Sequence, residues 1–161
     1  KKEFVLKASD HYQFEDHISL MGDSLKKDLD IIIKIGLNEF GEFGDEILND
    51  KNKLFKIIKK SKNKLFEDPS SLPDKIRSDK NFFIKLSALK GAEHTIKWAN
   101  DEIQNNKDVM ESYLKKSPNA IEHINKNNQN YTKYVAYAIS KDGKLIDSVD
   151  KKFSKIKSEN P

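Results

Sequence analysis

The chain has 161 residues, 36% of them hydrophobic, with 30 Lys plus Arg against 26 Asp plus Glu, a net charge of +4 and no Cys. That length fits one domain with a modest core, while nine Phe, five Tyr and one Trp exclude a disordered polyelectrolyte. Without cysteine there is no disulfide framework, thiolate nucleophile or thiolate-bound metal, and a reducing compartment is the expectation. No run approaches the ~20 apolar residues of a membrane span, because Ile31, Ile32 and Ile33 are stopped by Lys34. Of the 30 basic residues only Arg77 is Arg, which disfavours base readout through a guanidinium fork. The chain opens on Lys1 with no signal-like apolar run, so a piece of a longer cytoplasmic protein is expected.

Residues 1–15 read as a lead-in or N-terminal cap. A phrase then recurs, in which a turn residue and Asp lead to an aliphatic residue and, three further on, to Asp or Asn. It runs through Asp23, Leu25 and Asp28; Asp45, Ile47 and Asp50; Asp74, Ile76 and Asp79; and Asp101, Ile103 and Asn106. The aliphatic positions are 22, 29 and 27 residues apart, and two further steps of 25 land on Asn128 and Phe153. A period of about 25 signals a repeat architecture. The units run 16–25, 26–47, 48–76, 77–103, 104–128 and 129–153 within one helical-repeat domain over 16–157, leaving 158–161 as a tail.

Within each unit Asp28, Asp50, Asp79 or Asn106 is placed to cap a first helix, its oxygen accepting from an orphan N–H of the first turn. Apolar residues follow at helical spacing: Ile31, Ile32 and Ile35; Leu54, Phe55, Ile57 and Ile58; Phe82, Phe83 and Leu86; Val109, Met110, Tyr113 and Leu114. Breaks at Gly36, Ser61, Gly91, Ser117 and Gly143 separate these from a second helix in each unit. Such short helices are marginal alone, so they gain stability by stacking hairpin on hairpin. The expected fold is all-α, a solenoid-like array of short helical hairpins. Residues 134–149 carry a rival reading as a β-hairpin closed by Asp142-Gly143; the repeat register favours helix.

Ile47-Leu48-Asn49-Asp50-Lys51, Ile76-Arg77-Ser78-Asp79-Lys80 and Thr95-Ile96-Lys97-Trp98-Ala99 carry a resemblance. The chain resembles, over residues 18–153, a family of short tandem bihelical repeats known only as a domain of unknown function and found in bacterial and protist proteins, some of them effector-like. The family pattern is aliphatic-x-x-Asp-Lys, then a Gly turn, then Ala-Leu-x-Tyr-Ala. Pro69 and Pro73 interrupt the second helix of one copy, and Asn128 puts a polar residue at an aliphatic position. The resemblance implies a fold and no activity; delivery into a host cell is the localisation it adds.

His11, His17, His94 and His123 form no metal-binding spacing, and structural roles are expected for them. The recurring aspartates are explained as caps, and no phosphate-cradling glycine motif is present. Neither a catalytic residue nor a cofactor is therefore expected. From Lys51 to Lys64 there are seven lysines and no acid, and Lys53, Lys56 and Lys60 form a basic stripe opposite Leu54, Ile57 and Ile58. The stripe reads as a solvated face, or as a patch for an anionic partner. Partner-binding candidates are thus Lys53, Lys56, Lys60 and Lys64, joined by Trp98, Tyr113 and Tyr137 as aromatic anchors. The expected function is non-catalytic protein interaction; the alternative is sequence-indifferent binding of nucleic acid or another polyanion through the stripe.

Overall fold

The computed structural model describes residues 2–8, 22–35, 45–60 and 72–146. Among these every regular element is a helix, so the fold is all-α. Expectations for His11, His17, Lys64, Pro69, the breaks at Gly36 and Ser61 and the copy at Phe153 lie outside the described residues. Two compact units emerge, Lys1–Ile76 and Arg77–Pro161.

The first unit holds α1 (Lys2–Ala8), α2 (Asp23–Lys26), α3 (Leu29–Ile35), α4 (Asp45–Leu48) and α5 (Lys51–Lys60), with α6 (Asp74–Arg77) at the division. Helix α1 packs on α3, where Val5 and Ile31 are buried with Leu6 and Leu25 against them. Both α3 and α4 pack on α5, which buries Leu54, Ile57 and Ile58. The second unit runs α7 (Lys80–Ser87), a 3₁₀ helix η1 (Glu93–Trp98), α8 (Asp101–Gln104), α9 (Lys107–Lys116), a 3₁₀ helix η2 (Pro118–His123) and α10 (Tyr131–Lys141). Its core joins α7 to α9, η1 to η2, and α9 and α10 to η2.

The recurring phrase folds alike in each copy. Its Asp-led tetrad is one helical turn, α2, α4, α6 or α8, and its aliphatic residue points inward at Ile47, Ile76 and Ile103. Pro73 leads into α6, its carbonyl accepting from Ile76 N at 2.8 Å. The following Asp or Asn then caps a long helix. Asp28 Oδ1 accepts from Asp30 and Ile31, Asp50 Oδ1 from Asn52 and Lys53, Asp79 Oδ1 from Phe82, and Asn106 Oδ1 from Asp108 and Val109. Caps of this kind stabilise by about 1 kcal/mol. Asn106→Ala is accordingly expected to cost about 1 kcal/mol in urea unfolding, whereas Asn105→Ala, one residue earlier and exposed, is expected to be nearly silent.

The second element of a unit differs from expectation. Where described, it is a six-residue 3₁₀ helix, closed by Thr95 N to Ala92 O and Ala99 N to Ile96 O in η1, and by Ala120 N to Ser117 O and Ile124 N to Ile121 O in η2. Three residues per turn align Thr95 with Trp98, Ile96 with Ala99 and Ile121 with Ile124, and all six are buried. Gly91, at φ 77, makes the turn that leads from α7 into η1. Residues 131–141 are helical, which removes the hairpin reading for that stretch.

The two ends of a repeat unit are tied by a hydrogen bond to the residue that follows the preceding aliphatic anchor. Asn100 N donates to Arg77 O at 3.0 Å, and one step later Asn128 Nδ2 donates to Gln104 O at 3.2 Å. The polar residue at an aliphatic position is thus buried, at 4% exposure, with its side chain spent on this link.

Candidate functional site

Of the expected basic stripe, the structure places Lys53, Lys56 and Lys60 on α5. Lys56 and Lys60 are exposed; Lys53 is half-buried and pairs with Glu46 at 3.5 Å, and the same carboxylate lies 3.8 Å from Lys27. An acid from α4 therefore balances part of the stripe. Exposed pairs of this kind contribute little stability, about 0–1 kcal/mol.

Two of the three expected aromatic anchors belong to the interior. Trp98 is 2% and Tyr113 1% exposed, so neither offers a surface to a partner. Trp98 is held in η1, where 3₁₀ spacing turns it inward with Thr95. Tyr113 reaches from α9 to Thr95, whose hydroxyl lies 2.7 Å from the phenol and also donates to Ala92 O. Burial pushes the Tyr113 phenol far above its ordinary pKa, so it stays a neutral hydrogen-bonding group. Tyr137 differs: it is half-buried on α10, with the Lys141 ammonium 5.5 Å from its ring centroid.

Tyr137 lines a groove of about 410 Å³ between α9 and α10. The α9 wall is Lys107, Glu111, Leu114 and Lys115; the α10 wall is Asn130, Lys133, Tyr134 and Tyr137. Each set has the i, i+3/i+4, i+7 spacing of one helical face, and packing α10 beside α9 brings the two faces together. Three lysines face one acid, and that acid, Glu111, lies 3.7 Å from Lys107 on the same helix. Tyr134 is buried among them, and its hydroxyl has no hydrogen-bond partner among the described residues. Burial, followed by the charges of Glu111 and Asp108, raises its pKa above the ordinary phenol value, so the groove presents an O–H donor. Except for Tyr137, these residues escape a reading of the chain segment by segment. The signal that would find them is the pair of matched polar stripes on consecutive helices.

A second polar cluster joins η1 and η2. The His94 ring meets Trp98 edge-on at 5.5 Å and His123 at 6.4 Å between centroids. In the repeat register His123 falls 25 residues after Trp98, so an aromatic at that position recurs and His94 lies against both. Two imidazoles fall short of a metal set, and no group of three or more ligating side chains occurs among the described residues.

His94 has its pKa lowered from 6.5, first by burial and then by His123 and Lys97, with Glu93 and the Gly91 carbonyl opposing. A base with a depressed folded pKa binds fewer protons folded than unfolded. Its stabilising contribution is present above pH 6.5 and is lost as the pH falls through the folded value. Urea midpoints are therefore expected to drop between pH 7.5 and 5.5, and His94→Gln to flatten that slope; an unchanged slope in the variant would assign it to other groups.

No family model matches the chain, and comparison with curated proteins and with solved structures finds no similar protein.

Proposed function

We propose that the chain is a non-catalytic, helical-repeat protein-interaction module, its units stacked as in a solenoid, and part of a larger effector-like protein of the bihelical-repeat family it resembles. The observation that carries this reading is the α9–α10 groove. Two successive units contribute one helical face each to a recess with charged, phenolic and apolar walls, the composite surface through which repeat arrays bind.

Photo-crosslinkers at Lys56, Lys97 and Lys115, one at a time in producing cells, are expected to give a saturable adduct with one protein from at least one position. Adducts that follow protein abundance equally from all three positions overturn the reading.

The polyanion reading keeps a specific support in Lys56, Lys59 and Lys60, exposed along α5, a helix with no acid of its own. Binding of this kind depends steeply on salt. A labelled duplex is the test: a shift at low salt that vanishes at physiological salt and in Lys56→Gln/Lys60→Gln supports it, and no shift at low salt removes it.

A further inference from the structure

Two pairs of helices, α1 with α3 and α7 with α9, carry an inter-unit ion pair. Lys2 at the start of α1 reaches Asp30 at 2.8 Å, and Lys80 at the start of α7 reaches Asp108, each across 28 positions. In both cases the acid is the second residue after its cap, and the lysine holds that carboxyl below the ordinary range. Helices α5 and α7 carry Asn52 and Asn81 at that position, and α10 carries a lysine. Its buried Tyr134, Val135 and Ala138 fall 25 residues after the buried Val109, Met110 and Tyr113 of α9. That register puts Lys133 where α9 has Asp108. Lys107, the counterpart of Lys80, thus lines the groove with a lysine on the opposite wall in place of an aspartate. At the next position, where α7 has Phe82 and α9 has Val109, Tyr134 brings a hydroxyl that is buried in the groove and unpartnered among the described residues.

We propose that the α9–α10 groove is the docking site for an acidic segment of a partner protein. One of its carboxylates sits between Lys107 and Lys133, as Asp108 pairs with Lys80, and accepts a hydrogen bond from the Tyr134 hydroxyl. This rests on the interaction-module reading. Charge complementarity sets the occupant's sign: three lysines against Glu111, which already pairs with Lys107. Its size and polarity follow from the walls. A groove of about 410 Å³ takes a few side chains, and Leu114 and the Tyr137 ring favour apolar neighbours beside the carboxylate. Glu111 opposes a phosphate backbone, which carries charge at every step.

The probe is a fluorescein-labelled ten-residue peptide with Glu at every third position and Leu and Ala between, titrated by anisotropy into the whole chain. Lys133→Asp re-creates the acid that α9 carries and lets Lys107 pair internally. It is expected to weaken the peptide at least about tenfold while the melting temperature holds or rises. Tyr134→Phe is expected to weaken it several-fold with unchanged helix content, and Lys59→Gln on α5 to leave it unaltered. Absence of peptide binding by the unmodified chain, equal losses from Lys59→Gln and Lys133→Asp, or tighter Lys133-dependent binding of a single-stranded oligonucleotide each overturn the proposal. A crosslinked partner from Lys56 or Lys97 that is indifferent to Lys133→Asp sinks the groove and leaves the module reading standing; loss of all specific adducts sinks the module reading itself.

Discussion

Trp98→Ala is expected to destabilise the second unit by about 3–5 kcal/mol in urea unfolding followed by circular dichroism. The indole is 2% exposed, in η1, with the His94 ring edge against it, so truncation removes buried apolar area and leaves a cavity in a thin core. Backbone consequences add to this. The Trp98 carbonyl accepts from Arg77 Nε at 3.2 Å, and Ala99 begins the extended link to α8, so a shift in η1 is felt at the next phrase. Small domains have only about 5–15 kcal/mol in total, and the variant is expected to lose a large part of its helical signal at 37 °C. Tyr137→Ala, at a half-buried groove position, is the contrast and is expected to cost under about 1 kcal/mol. A Trp98→Ala loss of that same small size would mean that the indole is not a core residue and would return it to the list of partner anchors.

That contrast marks where sequence reading stops. The caps at Asp28, Asp50, Asp79 and Asn106 are legible because a cap is local: the oxygen and the N–H groups it satisfies lie within three residues. The apolar face of each long helix is legible for the same reason. Trp98, Tyr113 and Tyr137 look alike along the chain, and only packing separates the two interior rings from the one at the groove. The 3₁₀ character of η1 and η2 was masked by length, since a six-residue segment fits either helical period. A six-residue segment also closes one more hydrogen bond as i→i+3 than as i→i+4, which favours the tighter form. Helix α1 has no aliphatic anchor ahead of it, so the recurring phrase does not announce it. Its Lys2–Asp30 pair, matching Lys80–Asp108, shows it seated on α3 as α7 is on α9. The groove needed two helices at once, so no single stretch of sequence announces it.

Asn128 gives the case in which consensus and structure predict opposite signs. By the repeat register an aliphatic residue belongs there, as at Ile47, Ile76 and Ile103, and replacing an outlier by its consensus usually stabilises by about 0.5–2 kcal/mol. The structure argues otherwise. Asn128 is buried, its Nδ2 donates to Gln104 O at 3.2 Å, and its Oδ1 accepts from Asn130 N at 2.8 Å at the entry to α10. The backbone repeats the message, with Asn128 N donating to Asn125 O and Asn128 O accepting from Tyr131 N at 2.8 Å. The amide thus fixes the turn that leads into α10, whose own N-cap residue Asn130 makes no side-chain capping bond, while its other end ties that turn to α8. Asn128→Ala removes both side-chain bonds and strands part of the backbone polarity, at an expected cost of about 2 kcal/mol. Asn128→Leu, which keeps the branch at Cγ, regains apolar burial but neither bond, and is expected to remain less stable than the unmodified chain. Urea unfolding of the two variants decides it. A Leu variant more stable than the unmodified chain would show that the amide is only a poor aliphatic; a Leu variant below it makes Asn128 the junction on which α10 and its wall of the groove are positioned.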